Sequence, residues 1–98
     1  MKHHLSVDIE TRSSIDIKSA GAYKYAQSPD FQILLFAYQW DNMEVEVIDL
    51  IGGAVIPVWI LNALINPNVV KHAYNAAFEW YCLNRAGYIT PIEQWRCT

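Results

Sequence analysis

The sequence is poor in the residues that characterise disulfide-rich, disordered or duplex-binding proteins. Its 98 residues include only two cysteines, Cys82 and Cys97, without the Cys-x-x-Cys spacing of a zinc or redox site. Charged residues make up 17% of the chain against 53% hydrophobic residues, which excludes intrinsic disorder. The net charge of −3 excludes a module that holds duplex DNA with clustered lysine and arginine. We therefore expect one small domain with free thiols in a reducing, cytoplasmic setting.

The sequence also lacks an apolar run long enough to cross a membrane. Its longest apolar stretch, residues 50–61, contains Gly52, Gly53 and Pro57 and is shorter than the roughly 18 to 20 residues that span a bilayer. The N-terminus reaches Asp8 and Glu10 before the apolar core of a signal peptide can form. The sequence predicts neither a membrane partner nor secretion.

Three segments in the first half of the chain have the pattern of β-strands. Residues 5–11 and 44–50 alternate between apolar and polar side chains, as half-buried strands do. Residues 31–40 are almost continuously apolar, which predicts a strand covered on both faces. The turn residues Asp41 and Asn42 follow, so this strand should form a hairpin with the next one.

Helix signals lie between and after these strands. Residues 13–28 predict a loop and a short helix, with Asp16 as its N-cap and Gly21 weakening it. Pro57 can begin a helix that stops at Asn66. Residues 69–74 predict a strand, and residues 76–86 a helix capped by Asn75, with another strand beginning at Trp95. The predicted fold class is α/β.

Asp8 and Glu10 are candidate metal ligands. Two positions apart on a strand, they share a face about 7 Å apart at the backbone. Paired carboxylates suit a divalent cation such as Mg²⁺ or Mn²⁺, which activates water and stabilises a leaving oxyanion. Asp-x-Glu pairs are common by chance, so the pair taken alone favours a solvated polar face over a metal site.

Glu79 lies in the first turn of the helix that Asn75 caps. If the preceding strand runs parallel to the first strand through a right-handed crossover, Glu79 comes near Asp8 and Glu10 at the carboxyl ends of the strands. The simpler explanation is compensation of the helix dipole by one acidic residue.

The other candidate site residues have weaker support in the sequence. His72 has no partner at metal-ligand spacing, and Cys82 has no neighbouring base for nucleophilic catalysis. One member of an aromatic group is expected to face substrate while the rest form core. This group consists of Tyr74, Phe78, Trp80 and Tyr81.

Two short motifs resemble a known family. Val7-Asp8-Ile9-Glu10-Thr11 and Tyr74-Asn75-Ala76-Ala77-Phe78-Glu79 resemble the first two motifs of the DEDD 3′-5′ exonucleases, in particular the proofreading domain of family A DNA polymerases. The phage-type branch is indicated by further stretches, namely residues 21–26, 28–31, 67–70 and 95–98. The resemblance implies a ribonuclease-H-like mixed sheet of three antiparallel strands followed by a parallel strand, with helices.

The resemblance also implies a site and a substrate. Asp8, Glu10 and Glu79 would hold a pair of Mg²⁺ or Mn²⁺ ions and act in hydrolysis of the 3′-terminal phosphodiester of single-stranded DNA. Thr11 and Asn75 would shape the substrate end. Most relatives have Asp at the position of Glu79. Glu at this position is a variant of the phage-type branch. Trp80 stands where that branch commonly has a basic residue.

The family's third motif, with its last carboxylate, is not in this sequence. Residues 1–98 are therefore expected to be one partial exonuclease domain, incomplete at its C-terminus and inactive alone. We also expect this domain to self-associate through exposed sheet surface. Two alternatives stay open. One is a non-catalytic ribonuclease-H-like interaction module, and the other is an RNA-trimming exonuclease of the same superfamily.

Overall fold

A mixed β-sheet and three α-helices make up most of the chain in the computed structural model, which describes residues 2–98. The elements in chain order are strand β1 (His3–Arg12), helix α1 (Ile17–Gln27), strands β2 (Gln32–Trp40) and β3 (Glu46–Asp49), helix α2 (Val58–Ile65), strand β4 (Val69–Ala73), helix α3 (Ala76–Arg85) and strand β5 (Trp95–Cys97), with a 3₁₀ turn at Ile92–Gln94. The predicted α/β class is confirmed.

Strand β1 lies at the centre of the sheet, whose order is β3-β2-β1-β4-β5. It pairs antiparallel with β2 and parallel with β4, while β3 pairs antiparallel with β2 and β5 parallel with β4. The predicted hairpin and the predicted parallel strand are therefore confirmed. The carboxyl ends of β1 and β4 consequently lie at the same edge of the sheet.

One face of the sheet carries the core. Leu5, Val7 and Ile9 of β1 are buried, whereas Asp8 and the other intervening residues from His4 to Glu10 are exposed. The core also takes buried residues from all three helices and from β2, β4 and β5. The regular alternation of β1 explains this division, because neighbouring side chains on a strand point to opposite faces.

The expectation that β2 is covered on both faces is wrong. Ile33, Phe36 and Tyr38 are buried, but Leu35 and Ala37 are only partly buried. The predicted half-burial of β3 also fails at Val47, which pairs with Ala37 and is 59% exposed. An apolar run shows that a strand lies in a sheet, yet it cannot show whether a second layer covers it. Self-association through this surface stays a prediction.

Helix α1 follows the sequence signals closely. The side chain of Asp16 caps it by accepting a hydrogen bond from the backbone N–H of Lys18 at 3.0 Å. Gly21 breaks the helix with a φ of 85°, a left-handed conformation that glycine adopts without strain. α1 is thus two short helical segments joined at Gly21, and it packs against α3. None of the helices in residues 2–98 is long and apolar enough to cross a membrane.

Buried polar groups connect the helices to the sheet. Thr90 accepts a hydrogen bond from the indole N–H of Trp95 at 2.9 Å and donates one to the backbone carbonyl of Leu64 at 2.5 Å. The indole N–H of Trp80 donates to the backbone carbonyl of Thr90 at 2.8 Å. Trp80 therefore has a structural partner on the segment that leads into β5.

Lys71 is the most unusual member of the core, since it is a fully buried lysine on β4. Its ammonium donates to the backbone carbonyls of Asn66 and Val69, each at 2.9 Å, and to the side chain of Gln94. Burial lowers the pKa of Lys71 from 10.5 to about 8. The three acceptors join the end of α2, β4 and the 3₁₀ turn through one side chain.

We expect Lys71→Met to flatten the pH dependence of stability. The folded chain releases the Lys71 proton near pH 8, whereas the unfolded chain holds it to about pH 10.5. The unfolded state therefore binds more protons in this interval, and the free energy of unfolding rises with pH. Urea denaturation between about pH 7.5 and 9.5 should show a rise on the order of 1 to 2 kcal/mol in the wild type that the variant lacks. Parallel curves for the two proteins would contradict this account of Lys71.

Candidate functional site

The carboxylates of β1 point away from the core. Asp8 lies opposite Ala37 and Glu10 opposite Leu35 in the pairing with β2, and both acidic residues are exposed. The register shifts between Glu10 and Thr11, where a bulge interrupts the ladder. Bulges bend a strand and redirect the side chains beside them. The strand thus changes course directly after the Asp-x-Glu pair.

Helix α3 begins where β4 ends, at the same sheet edge. Asn75 caps it, with its side-chain oxygen accepting from the backbone N–H of Phe78 at 3.4 Å. This confirms the predicted N-cap. Glu79 follows in the first turn, and α3 contacts β1, β4 and β5 as well as α1. The parallel pairing of β1 and β4 therefore brings the start of α3 to the end of β1.

Glu79 is the buried acid of the site. It is only 5% exposed, and its Oε2 atom has no hydrogen-bond partner among residues 2–98. Burial raises its pKa from 4.5 to about 7, a bond to its own backbone N–H offsets part of this, and the Asp8 carboxylate raises it further. Glu79 and Asp8 are therefore close enough to interact electrostatically.

Glu10 is exposed on the same face of β1 as Asp8. Within residues 2–98, no group of three or more histidine, cysteine, aspartate or glutamate side chains is arranged to hold a metal ion. The metal site of Asp8, Glu10 and Glu79 stays a prediction.

Thr11 has a partner that sequence reasoning missed. Its hydroxyl lies 2.9 Å from the hydroxyl of Tyr25 on α1, and the Tyr25 ring lies 5.8 Å from the ring of Phe78 on α3. Tyr25 therefore connects β1, α1 and α3 beside the candidate site. No local signal marked Tyr25, because its role depends on three elements that are distant in the sequence.

The four aromatic residues near α3 are exposed to different degrees. Tyr74, at the end of β4, is 88% exposed, while Phe78, Trp80 and Tyr81 are partly buried against the core. The expectation that three of the four rings contribute to the core agrees with this burial. Contact of Tyr74 or any other ring with substrate stays a prediction.

The remaining histidines and cysteines form separate groups. The ring nitrogens of His4 and His72 lie 2.7 Å apart, and His3 pairs with Asp41 at 2.7 Å. Both cysteines are free thiols, with Cys82 buried and Cys97 exposed. Burial, and secondarily Glu79, raise the pKa of Cys82 to about 12, so this thiol is not a nucleophile at neutral pH.

Comparison with known proteins gives one informative similarity. The chain is 48% identical over 95 residues to the DNA polymerase of Bacillus phage SP02, and the match covers 96% of the chain. It spans 15% of the length of that polymerase. No protein-family model matches the chain. No solved structure matches it either. The similarity supports a relationship to one segment of a phage DNA polymerase.

Glu79→Gln should stabilise the metal-free chain at alkaline pH. The folded chain keeps the Glu79 proton up to about pH 7, whereas the unfolded chain loses it near pH 4.5, so Glu79 lowers the free energy of unfolding as pH rises through this interval. The free energy of unfolding of the variant, relative to that of the wild type, should increase by on the order of 1 to 3 kcal/mol from pH 4 to pH 8. Chemical denaturation at both pH values measures the gain. A difference that does not change with pH would show that Glu79 is not desolvated.

Proposed function

We propose that the chain is a segment of a phage-type DNA polymerase and that it supplies carboxylates to the metal site of a 3′-5′ exonuclease. The observation that carries the proposal is the buried Glu79 carboxylate, whose Oε2 atom has no partner among residues 2–98 and whose pKa is raised by burial and by Asp8. Buried acids in proteins are normally paired or hydrogen-bonded, because desolvation of an unpaired charge is costly. An uncompensated acid next to a second acid is therefore more typical of a functional site than of a core.

A divalent cation resolves the electrostatic conflict of this pair. Without one, burial and Asp8 hold the pKa of Glu79 near 7, so the site cannot carry two full negative charges at neutral pH without penalty. A cation between the carboxylates favours both ionised forms. Oxygen ligands of this kind suit Mg²⁺ or Mn²⁺ rather than softer metals. The oxygen-donor chemistry of the two carboxylates thus fits the proposed metal.

Glu10 would be the third ligand. It lies on the same face of β1 as Asp8 and directly before the bulge. Because its side chain is exposed, a change of rotamer would not break a packed arrangement. Thr11 and Asn75 would lie at the substrate end, with Thr11 held by Tyr25 and Asn75 held as the cap of α3.

The proposed reaction is hydrolysis of the terminal phosphodiester of a DNA 3′ end. When bound, two such ions activate a water molecule and stabilise the leaving oxyanion. The chain's own residues position this chemistry: β1 presents two carboxylates, and α3 presents Glu79 from its first turn. DNA is favoured over RNA as substrate because the similar phage protein is a DNA polymerase.

A non-catalytic interaction module is the second candidate. It is favoured by the absence, within residues 2–98, of any three-residue group arranged to hold a metal. In that case Asp8 and Glu10 serve only as the solvated face of β1. The two candidates differ in metal affinity, since only the exonuclease segment requires a cation at Asp8.

Mn²⁺ binding tests the proposal directly. We expect the 98-residue chain to bind Mn²⁺ in calorimetric or paramagnetic-resonance titrations, and Asp8→Asn or Glu79→Gln to weaken binding by about tenfold or more, which corresponds to a loss of about 1.4 kcal/mol or more for one charged ligand. Glu44→Gln is the matched control, because Glu44 is an exposed acid between β2 and β3 and is not one of the proposed ligands. Equal Mn²⁺ affinity in all four proteins would favour the non-catalytic module.

The nuclease assay has a different expected outcome. Residues 1–98 supply three of the four carboxylates that the family resemblance implies, so we expect no degradation of 5′-labelled single-stranded DNA above an Asp8→Ala control in Mg²⁺ or Mn²⁺. Gel analysis of the products measures this. Clear 3′-5′ degradation that Asp8→Ala abolishes would show that these residues suffice.

A further inference from the structure

A groove between α1 and α3 lies outside the candidate metal site. It has a volume of about 370 Å³, and we call it the α1–α3 groove. Its lining residues are Tyr23, Gln27, Trp80, Tyr81, Asn84 and Arg85. The groove combines three aromatic rings, two amides and one arginine, and none of its lining residues is acidic.

The aromatic rings of the groove are available to a ligand. Tyr23 is 57% exposed, and its ring stands edge-on to Tyr81 with 5.5 Å between centroids. Tyr81 in turn meets Trp80 edge-on at 5.0 Å. An edge-to-face contact covers at most one face of one ring in the pair, so the exposed Tyr23 ring retains surface on which a nucleobase can stack.

The groove is also held in shape before any ligand arrives. The Trp80 indole N–H donates to the Thr90 carbonyl at 2.8 Å, and the Asn84 amide donates to the Trp80 carbonyl at 2.7 Å. These bonds fix one ring and one amide of the lining. A preformed surface loses less conformational entropy on binding than a mobile one does.

The charge of the groove favours an anion. Arg85 is exposed, and it forms no salt bridge with any of residues 2–98. The whole chain carries a net charge of −3, so a patch with one free cation and no carboxylate stands out from its surroundings. A single-stranded nucleic acid offers what this surface accepts, namely planar bases for the rings and phosphates for the guanidinium.

The groove lies next to the candidate site along α3. Tyr81 is two residues and Arg85 six residues beyond Glu79, which corresponds to about 3 and 9 Å along the helix axis. On α1, Tyr25 contacts Phe78 and bonds to Thr11. The groove and the candidate site therefore share helix α3, and Tyr25 connects α1 to Thr11 of β1.

We propose that the α1–α3 groove binds single-stranded DNA by stacking bases on Tyr23 and Tyr81 and pairing a phosphate with Arg85. This inference rests on the proposed function in two respects. They are the choice of DNA as the ligand and the expectation that the 3′ end of the bound strand enters the candidate site. Stacking itself requires no metal. Binding in the groove can therefore be measured separately from metal binding and hydrolysis.

The experiment is anisotropy titration of a fluorescent oligothymidylate of about 12 nucleotides with the 98-residue chain, in EDTA and at several salt concentrations. We expect Tyr23→Ala to weaken binding by about 5- to 100-fold and Tyr23→Phe, which keeps the ring, to bind like wild type. Arg85→Gln should lower the slope of log affinity against log salt by about 0.7. Lys18→Gln, which removes an exposed cation of α1 outside the groove, should leave affinity and slope nearly unchanged.

Each outcome decides the proposal. Loss of binding in Tyr23→Ala, with a thermal melt like that of wild type and retention in Tyr23→Phe, supports it. Absence of oligonucleotide binding by the wild type overturns it, and so does equal binding by Tyr23→Ala or an unchanged salt slope in Arg85→Gln. Oligonucleotide binding can follow these expectations while Asp8→Asn and Glu79→Gln leave the Mn²⁺ affinity unchanged. That result would support the groove proposal and overturn the proposed exonuclease function.

Discussion

The central position of β1 is the constraint on which the rest of the structure depends. Because β1 is hydrogen-bonded to β2 on one side and to β4 on the other, its side chains have only the two sheet faces to occupy. Leu5, Val7 and Ile9 take the core face, and Asp8 and Glu10 are left on the other. The parallel pairing with β4 then brings the start of α3, with Glu79, to the end of the strand.

Burial of Glu79 has a stability cost that the surrounding structure tolerates. The helix N-terminus compensates only part of it, since an acid in the first turn gains about 0.3 to 1 kcal/mol from the helix dipole. The pKa of about 7 shows that desolvation and Asp8 outweigh this gain. Lys71, a buried basic side chain of the core, has three acceptors, whereas Glu79 Oε2 has none among residues 2–98. A buried polar group with a structural role is expected to have hydrogen-bond partners, whereas a buried polar atom without a partner is more typical of a binding site.

Local signals predicted most elements because local physics decides them. The alternation of β1, the Asp16 and Asn75 caps and the break at Gly21 each depend on a few neighbouring residues. The errors concern burial. Residues 31–40 have the composition of a strand buried on both faces, and Val47 has that of a buried position, yet the described chain leaves one face of the sheet largely open. Coverage of a face depends on distant elements, which a strand's own composition cannot report.

Some features of the candidate site are likewise local, and others depend on contacts between distant elements. Spacing within single elements was enough to predict the strand that carries Asp8 and Glu10, the cap at Asn75 and the place of Glu79 in the first turn of α3. The burial of Glu79, the bond between Thr11 and Tyr25 and the aromatic groove between α1 and α3 became visible only in the folded chain. Desolvation and contacts between elements arise from the packing of segments far apart in the chain, so no local pattern encodes them.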